Sequence, residues 1–234
     1  MNAALSFFYV RKGADVVQSE HYISAIQTLT DTHMKTDEKM RELLDPFQQA
    51  AAIELGSKIA IGNVKNHIEK HLEIMNPDLV ILGKRSKKTF SMGGDGLTQF
   101  VINKFQGPVL ISATDQVLEL NEQLTLGLFS DMVSDTPNEF VDNLLKISTQ
   151  PVKSFRIVNK TSETQPSSAI PFKTVEYAFD PSDNAVKNLS KYVRRNNVHL
   201  LFLDREQLNQ RSRKATSTNM NGVIHELPSS LLLT

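Results

Sequence analysis

Apolar and polar positions along this chain follow one order twice. Val64 to Arg85, VKNHIEKHLEIMNPDLVILGKR, reads as an amphipathic helix, an Asn-containing turn and a continuous apolar strand. Ala185 to Glu206, AVKNLSKYVRRNNVHLLFLDRE, reads the same way about 120 residues later. Each copy continues through a polar stretch to a short apolar run, GPVLIS from Gly107 to Ser112 and PSSLLLT from Pro228 to Thr234. The period is too long for a solenoid. Two copies of one α/β domain, residues 1–117 and 118–234, account for it.

The remaining pattern fills in each copy. Leu5 to Val10 reads as a buried strand, and residues 18–32 as an irregular helix or a loop. From Asp37 to Leu55 the apolar positions Met40, Leu43, Leu44, Phe47 and Ala51 fit one helical face, which Pro46 disturbs. Ser57 to Gly62 is the next strand. Asn63 caps a helix carrying Val64, Ile68, Leu72 and Met75, and Pro77 stops it. The strand Leu79–Leu82, a Gly/Ser-rich loop over 84–96, a helix Leu97–Phe105 and a strand Pro108–Ile111 follow. The proline suits that last strand to an edge.

The second copy opens with a strand at Leu124–Phe129 and a helix bearing Phe140, Leu144 and Leu145. Strands near 152–158 and 175–179 flank a Ser/Thr/Pro linker over 161–171. A helix starts at Asp180-Pro181, and Leu200–Leu203 is a buried strand. Near-continuous apolar strands alternating with helices imply parallel sheets covered on both faces. The first copy has no counterpart of the strand and helix at 124–147. Either the sequence starts short of a full copy, or its first sheet lacks the central strand by nature.

Composition narrows the function classes. With 26 basic and 26 acidic residues the formal charge is zero, so no global field favours nucleic acid or an anionic membrane. No cysteine is present, which removes disulfides, thiolate metal sites and thiol catalysis. No apolar run approaches the ~20 residues of a membrane span, and the start lacks a basic leader. These features lead to the expectation of a cytoplasmic protein. Aromatic residues are 7% and tryptophan is absent, against a stacking platform for bases.

Asn76 to Ser112, NPDLVILGKRSKKTFSMGGDGLTQFVINKFQGPVLIS, resembles the C-terminal half of a universal stress protein domain. That family shows an apolar strand, the pattern G-x2-G-x9-G-S/T, a helix and a Pro-Val-Leu strand. The likeness is fullest over 57–112, looser over 1–56, and topological over 120–234. It implies two flavodoxin-like (adenine nucleotide alpha hydrolase-like) doubly wound parallel-sheet domains, the first lacking its N-terminal strand and helix. It also implies that the copies pair through their last strands.

In the family the glycines let the backbone approach a triphosphate, and amides and a hydroxyl at the next helix start bind phosphate. Carried over here, Gly83 matches the first glycine and Ser86 replaces the second. Gly96 follows, with Leu97 where Ser or Thr is expected; a one-residue shift puts Thr98 near the hydroxyl position. Gly93 and Gly94 lie in the loop, and Lys84, Arg85, Lys87 and Lys88 make it cationic. Asp131 falls where the family has an acid against adenine. In the second copy Asp204-Arg205-Glu206 replaces the glycine loop, and only Gly222 remains downstream.

Other candidates have plainer readings. His67 and His71, four apart, lack a third ligand and sit on a solvated helix face. Asp131 and Asp135 suit loop and capping roles, and Lys191, Arg194 and Arg195 complement a helix dipole. No nucleophile motif occurs. The expectation is a universal-stress-like, non-catalytic protein with no catalytic residue, no metal and no resident cofactor. It would bind ATP weakly at most, through Gly83, Lys84, Arg85, Ser86, Gly94, Gly96 and Thr98. Its partner would be a protein or itself, through Pro108–Ile111 and Ser230–Leu233, and neither nucleic acid nor membrane. The alternative is an ATP-binding switch or slow ATPase using the Gly83–Thr98 loop. An accessory domain split from a transporter ranks last.

Overall fold

The computed structural model describes residues 4–13, 22–50, 54–84, 96–114, 118, 123–129, 143–146, 151–157, 174–179, 184–205 and 220–234. The chain is α/β throughout, as parallel strands alternating with helices demand. It divides into two compact units at Asn76/Pro77, whereas the sequence copies meet at 117/118. The features expected at 85–95, 130–142 and 158–173, including the linker, Asp131 and Asp135, lie outside the described residues, as do 180–183.

The first unit holds β1 (Ala4–Arg11), α1 (Tyr22–Ala50), β2 (Glu54–Ile61) and α2 (Val64–Met75). β1 and β2 form a two-stranded parallel sheet, in register from Ala4 opposite Glu54 to Arg11 opposite Ile61. The polar stretch expected to be irregular is the first half of α1, and Pro46 lies inside the same helix. Pro46 forfeits a bond toward residue 42, but only about one turn follows it. α2 begins where Asn63 Oδ1 accepts from the Asn66 amide at 3.2 Å. It closes on Asn76 in the left-handed region, φ 39°, whose N–H donates to the Leu72 carbonyl.

The second unit holds β3 (Val80–Gly83), α3 (Gly96–Lys104), β4 (Val109–Ser112), β5 (Leu126–Phe129) and β6 (Val152–Ile157). It continues with β7 (Thr174–Phe179), α4 (Ala185–Arg195), β8 (Leu200–Leu203), α5 (Met220–Glu226) and β9 (Ser230–Leu233). Its strands form one sheet in the order β3-β4-β9-β8-β5-β6-β7. Neighbours are parallel except β4 and β9, which are antiparallel. The second copy alone runs β7-β6-β5-β8-β9, a doubly wound order with β5 at the centre. β8 and β9 are buried along their whole length, so their apolar runs never alternate.

β4 is interior, not an edge. Pro108 stands one residue before it and costs the ladder no donor; its carbonyl accepts from the Val80 amide at 3.1 Å. On the β4–β9 seam Val109 faces Leu233, Leu110 faces Leu232 and Ile111 faces Leu231. Val109 and Leu231 occupy the same place in their copies, as do Ile111 and Leu233. The Leu110–Leu232 pair therefore marks a local two-fold axis relating α3–β4 to α5–β9.

Candidate functional site

The phosphate-loop candidates sit where β3 ends and α3 begins. Gly83 closes β3 and Gly96 opens α3. Arg85, Ser86 and Gly94 lie outside the described residues. A Cβ placed on Gly83 or Gly96 meets nothing within 4 Å among the described residues, and neither glycine has a left-handed φ. Among the described residues neither packing nor backbone geometry demands glycine there. Thr98 is 8% exposed and shares the covered face of α3 with Val101 and Ile102.

Lys84 follows β3 directly, and its Nζ donates to the Leu227 carbonyl just past α5. The left-handed Asn76 and Asn197 align the two copies, which sets Arg205 where the first copy has Lys84. Arg205 donates to the carbonyls of Ile102 at 3.2 Å and Phe105 at 2.5 Å, and to that of Gly107. Phe105 and Leu227 are the same step of the repeat. The Phe105 amide bonds Val101 at 2.9 Å, and the Leu227 amide bonds Val223 at 3.1 Å. Each copy thus sends the cation at its strand end to the last helix of the other copy. The carbonyls there have no helical partner and carry the negative end of the helix dipole. Lys153 does likewise within the second copy, bonding the Asn196 carbonyl at 2.9 Å beyond α4.

Arg205 is 9% exposed, and burial holds its guanidinium below its ordinary pKa. Sequence reasoning took Asp204-Arg205-Glu206 as a degenerate loop and missed this clamp. The available signal was a cation placed just after the apolar strand in both copies.

The sheet order reverses between β5 and β8, whose carboxyl ends are Phe129 and Leu203. Crevices at such points take ligands in open α/β sheets. Asp204, 9% exposed, lies at this one. The first copy has no equivalent crevice among the described residues, because no strand flanks the outer side of β3.

The histidine pair does not converge on a metal position. The His71 ring stacks on Phe8 with centroids 4.0 Å apart. Its Nδ1 is buried without a partner among the described residues, and burial, then the charge of Lys58, lowers its pKa. His67 packs beside Gly62, where a Cβ would fall 2.8 Å from its Nε2. Gly62 itself holds φ 146°, a conformation that needs glycine. Among the described residues no group of three or more His, Asp and Glu gathers as a metal site. No described helix is long and apolar enough to cross a membrane.

The fold is similar to that of universal stress proteins of known structure. The chain is similar to the crystal structure of a universal stress protein from Archaeoglobus fulgidus DSM 4304, with a TM-score of 0.68 and 15% identity. That match covers 98% of this chain and 85% of the other. It is also similar to a universal stress protein candidate from Pseudomonas aeruginosa UCBPP-PA14, with a TM-score of 0.52 and 8% identity. There the match covers 99% of this chain and 93% of the other. At these identities the likeness is one of fold. No protein-family model and no curated protein matches the sequence.

Proposed function

We propose that the chain is a universal-stress-like, non-catalytic protein of the cytoplasm that works by binding a protein partner and has at most weak affinity for nucleotide. The observation that carries this reading is the use of the strand-end cations. Lys84 and Arg205 stand where a phosphate would be met, and both are directed to helix-end carbonyls of the other copy. The burial of Thr98 supports it further.

Calorimetric titration with Mg-ATP, alongside a phosphate-release assay, tests the reading. The expected result is no saturable heat below ~1 mM, a concentration scale worth about 4 kcal/mol of binding, and no phosphate release above buffer. Gly83→Val is the diagnostic variant, because a Cβ on Gly83 meets no described atom within 4 Å. Micromolar ATP binding that Gly83→Val abolishes would replace this reading with the nucleotide switch.

A further inference from the structure

The chain contains neither cysteine nor tryptophan, and its four tyrosines are Tyr9, Tyr22, Tyr177 and Tyr192. Thiols, indoles and phenols are the side chains that give up a single electron most readily. Methionine sulfur reacts chiefly by taking up oxygen, which yields the sulfoxide. With thiols and indoles absent, an electron vacancy placed on this protein settles on a phenol. Two of the four phenols are in contact. Tyr177 stands on β7 and Tyr192 on α4. Their ring centroids are 4.5 Å apart, with the planes inclined at 47°. The Tyr192 side chain bonds to that of Tyr177, so the rings meet with their hydroxyl ends together. An ortho carbon is one bond from the carbon that bears the hydroxyl. The ortho carbons of the two rings are accordingly neighbours.

Packing holds this arrangement. Phe155, fully buried, stacks on Tyr177 at 5.6 Å and meets Tyr192 edge-on at 5.7 Å. Phe179 lies edge-on to Tyr192 at 6.2 Å. A phenyl ring is far harder to oxidise than a phenol, so these neighbours orient the pair without draining it. β7 pairs with β6 from Thr174 to Phe179, and α4 is anchored by the fully buried Leu189 and Val193. Both tyrosines are half-buried, which leaves the rings some freedom to shift toward each other.

We propose that Tyr177 and Tyr192 form an oxidative modification site, joined as dityrosine when the protein meets a one-electron oxidant of the carbonate-radical class. Two equivalents of oxidant each accept one electron, one from each phenol, and are reduced. Each phenol releases its hydroxyl proton to water. The two phenoxyl radicals couple through one ortho carbon apiece, forming a carbon–carbon bond. The hydrogens on those carbons pass through water to the two oxygens, which restores both aromatic rings. The protein has then lost two electrons and two protons, and β7 is stapled to α4. Electron transfer does not require the oxidant to touch the ring, so the step needs no open path to the pair. The site stands apart from the nucleotide and partner readings, because neither tyrosine belongs to the Gly83–Thr98 loop or to the β4–β9 seam.

The test exposes the dilute full chain to brief illumination with ruthenium tris-bipyridyl and persulfate, a source of outer-sphere one-electron oxidation. The expected product is a monomer lighter by two hydrogen atoms that shows dityrosine fluorescence. Tandem mass spectrometry of its digest should find one linked peptide pair, carrying residues 177 and 192. Tyr177→Phe and Tyr192→Phe each keep the ring packing and should lower the yield of linked monomer about tenfold or more. The double variant Tyr9→Phe/Tyr22→Phe should stay within about twofold of wild type. Linked monomer that persists in either single variant overturns the proposal. So does linkage mainly through Tyr9 or Tyr22, or linkage mainly between molecules. Oxidation that stops at methionine sulfoxide overturns it as well. An equal yield in urea does so too, by showing that nearness along the chain, rather than the fold, brings the rings together.

Discussion

Arg205→Ala should weaken the second unit substantially. The guanidinium is 9% exposed and donates to three carbonyls at the end of α3. Bonds to a charged group contribute roughly 1.5–3 kcal/mol each, so the low end for the set is about 4.5 kcal/mol. Against this stands the desolvation of the group, whose Nε is buried without a partner. An unsatisfied buried polar atom costs about 1–3 kcal/mol, leaving a net loss of ~1.5–3.5 kcal/mol for the alanine variant. Arg205→Lys keeps the charge but not the planar fork, and should cost about half as much. Lys84→Ala, at a half-exposed position, should cost ~1 kcal/mol or less. Urea unfolding monitored by hydrogen exchange in β4, β8 and β9 measures all three. A loss under ~0.5 kcal/mol for Arg205→Ala, or equal losses for alanine and lysine, would refute the clamp as a multi-carbonyl fork.

Three further outcomes are expected. Gly127→Val should cost ~1–3 kcal/mol, because the new Cβ meets Leu201 at 2.7 Å, Phe155 at 2.9 Å and Val198 at 3.0 Å; a wild-type urea midpoint would contradict the crowding. The His71 pKa is lowered in the fold, so the unfolded chain takes up the proton first and stability falls as pH drops below ~6.5. Exchange protection in β1 should fall with it, and His71→Phe should flatten that dependence. Tyr192 packs on Tyr177 with centroids 4.5 Å apart, and burial, with the bond to Tyr177, pushes its pKa up to about 12. Because the fold retains this proton, stability should decline as pH rises from ~10 toward that value. Ultraviolet titration of wild type against Tyr192→Phe would show the late phenol, and its absence would rule the shift out.

The strands were readable because burial on both faces makes them continuous apolar runs. Leu200–Leu203 and Leu231–Leu233 needed no periodicity argument. α1 was only half readable for the opposite reason. Of its described side chains only Leu44 is buried, while Met34, Leu43 and Phe47 are 62–66% exposed, so little packing enforces a periodic face. α5 spans seven residues, too short to show a helical stripe. Pro108 misled the placement of β4 because the edge rule concerns prolines within a strand, and this one precedes it. At the site, glycines and cations were visible but their partners were not. Lys84 meets a carbonyl 143 residues away, a contact that no local pattern encodes.

The β4–β9 seam has a consequence for how the chain responds to dilution. Both strands have neighbours on each side, and Val109, Ile111 and Leu231 to Leu233 are at most 1% exposed. Were the two halves separate molecules, this contact would form according to their concentration. Within one polypeptide the tether supplies a fixed effective concentration, on the order of millimolar for a short linker. Pairing then survives at any expression level.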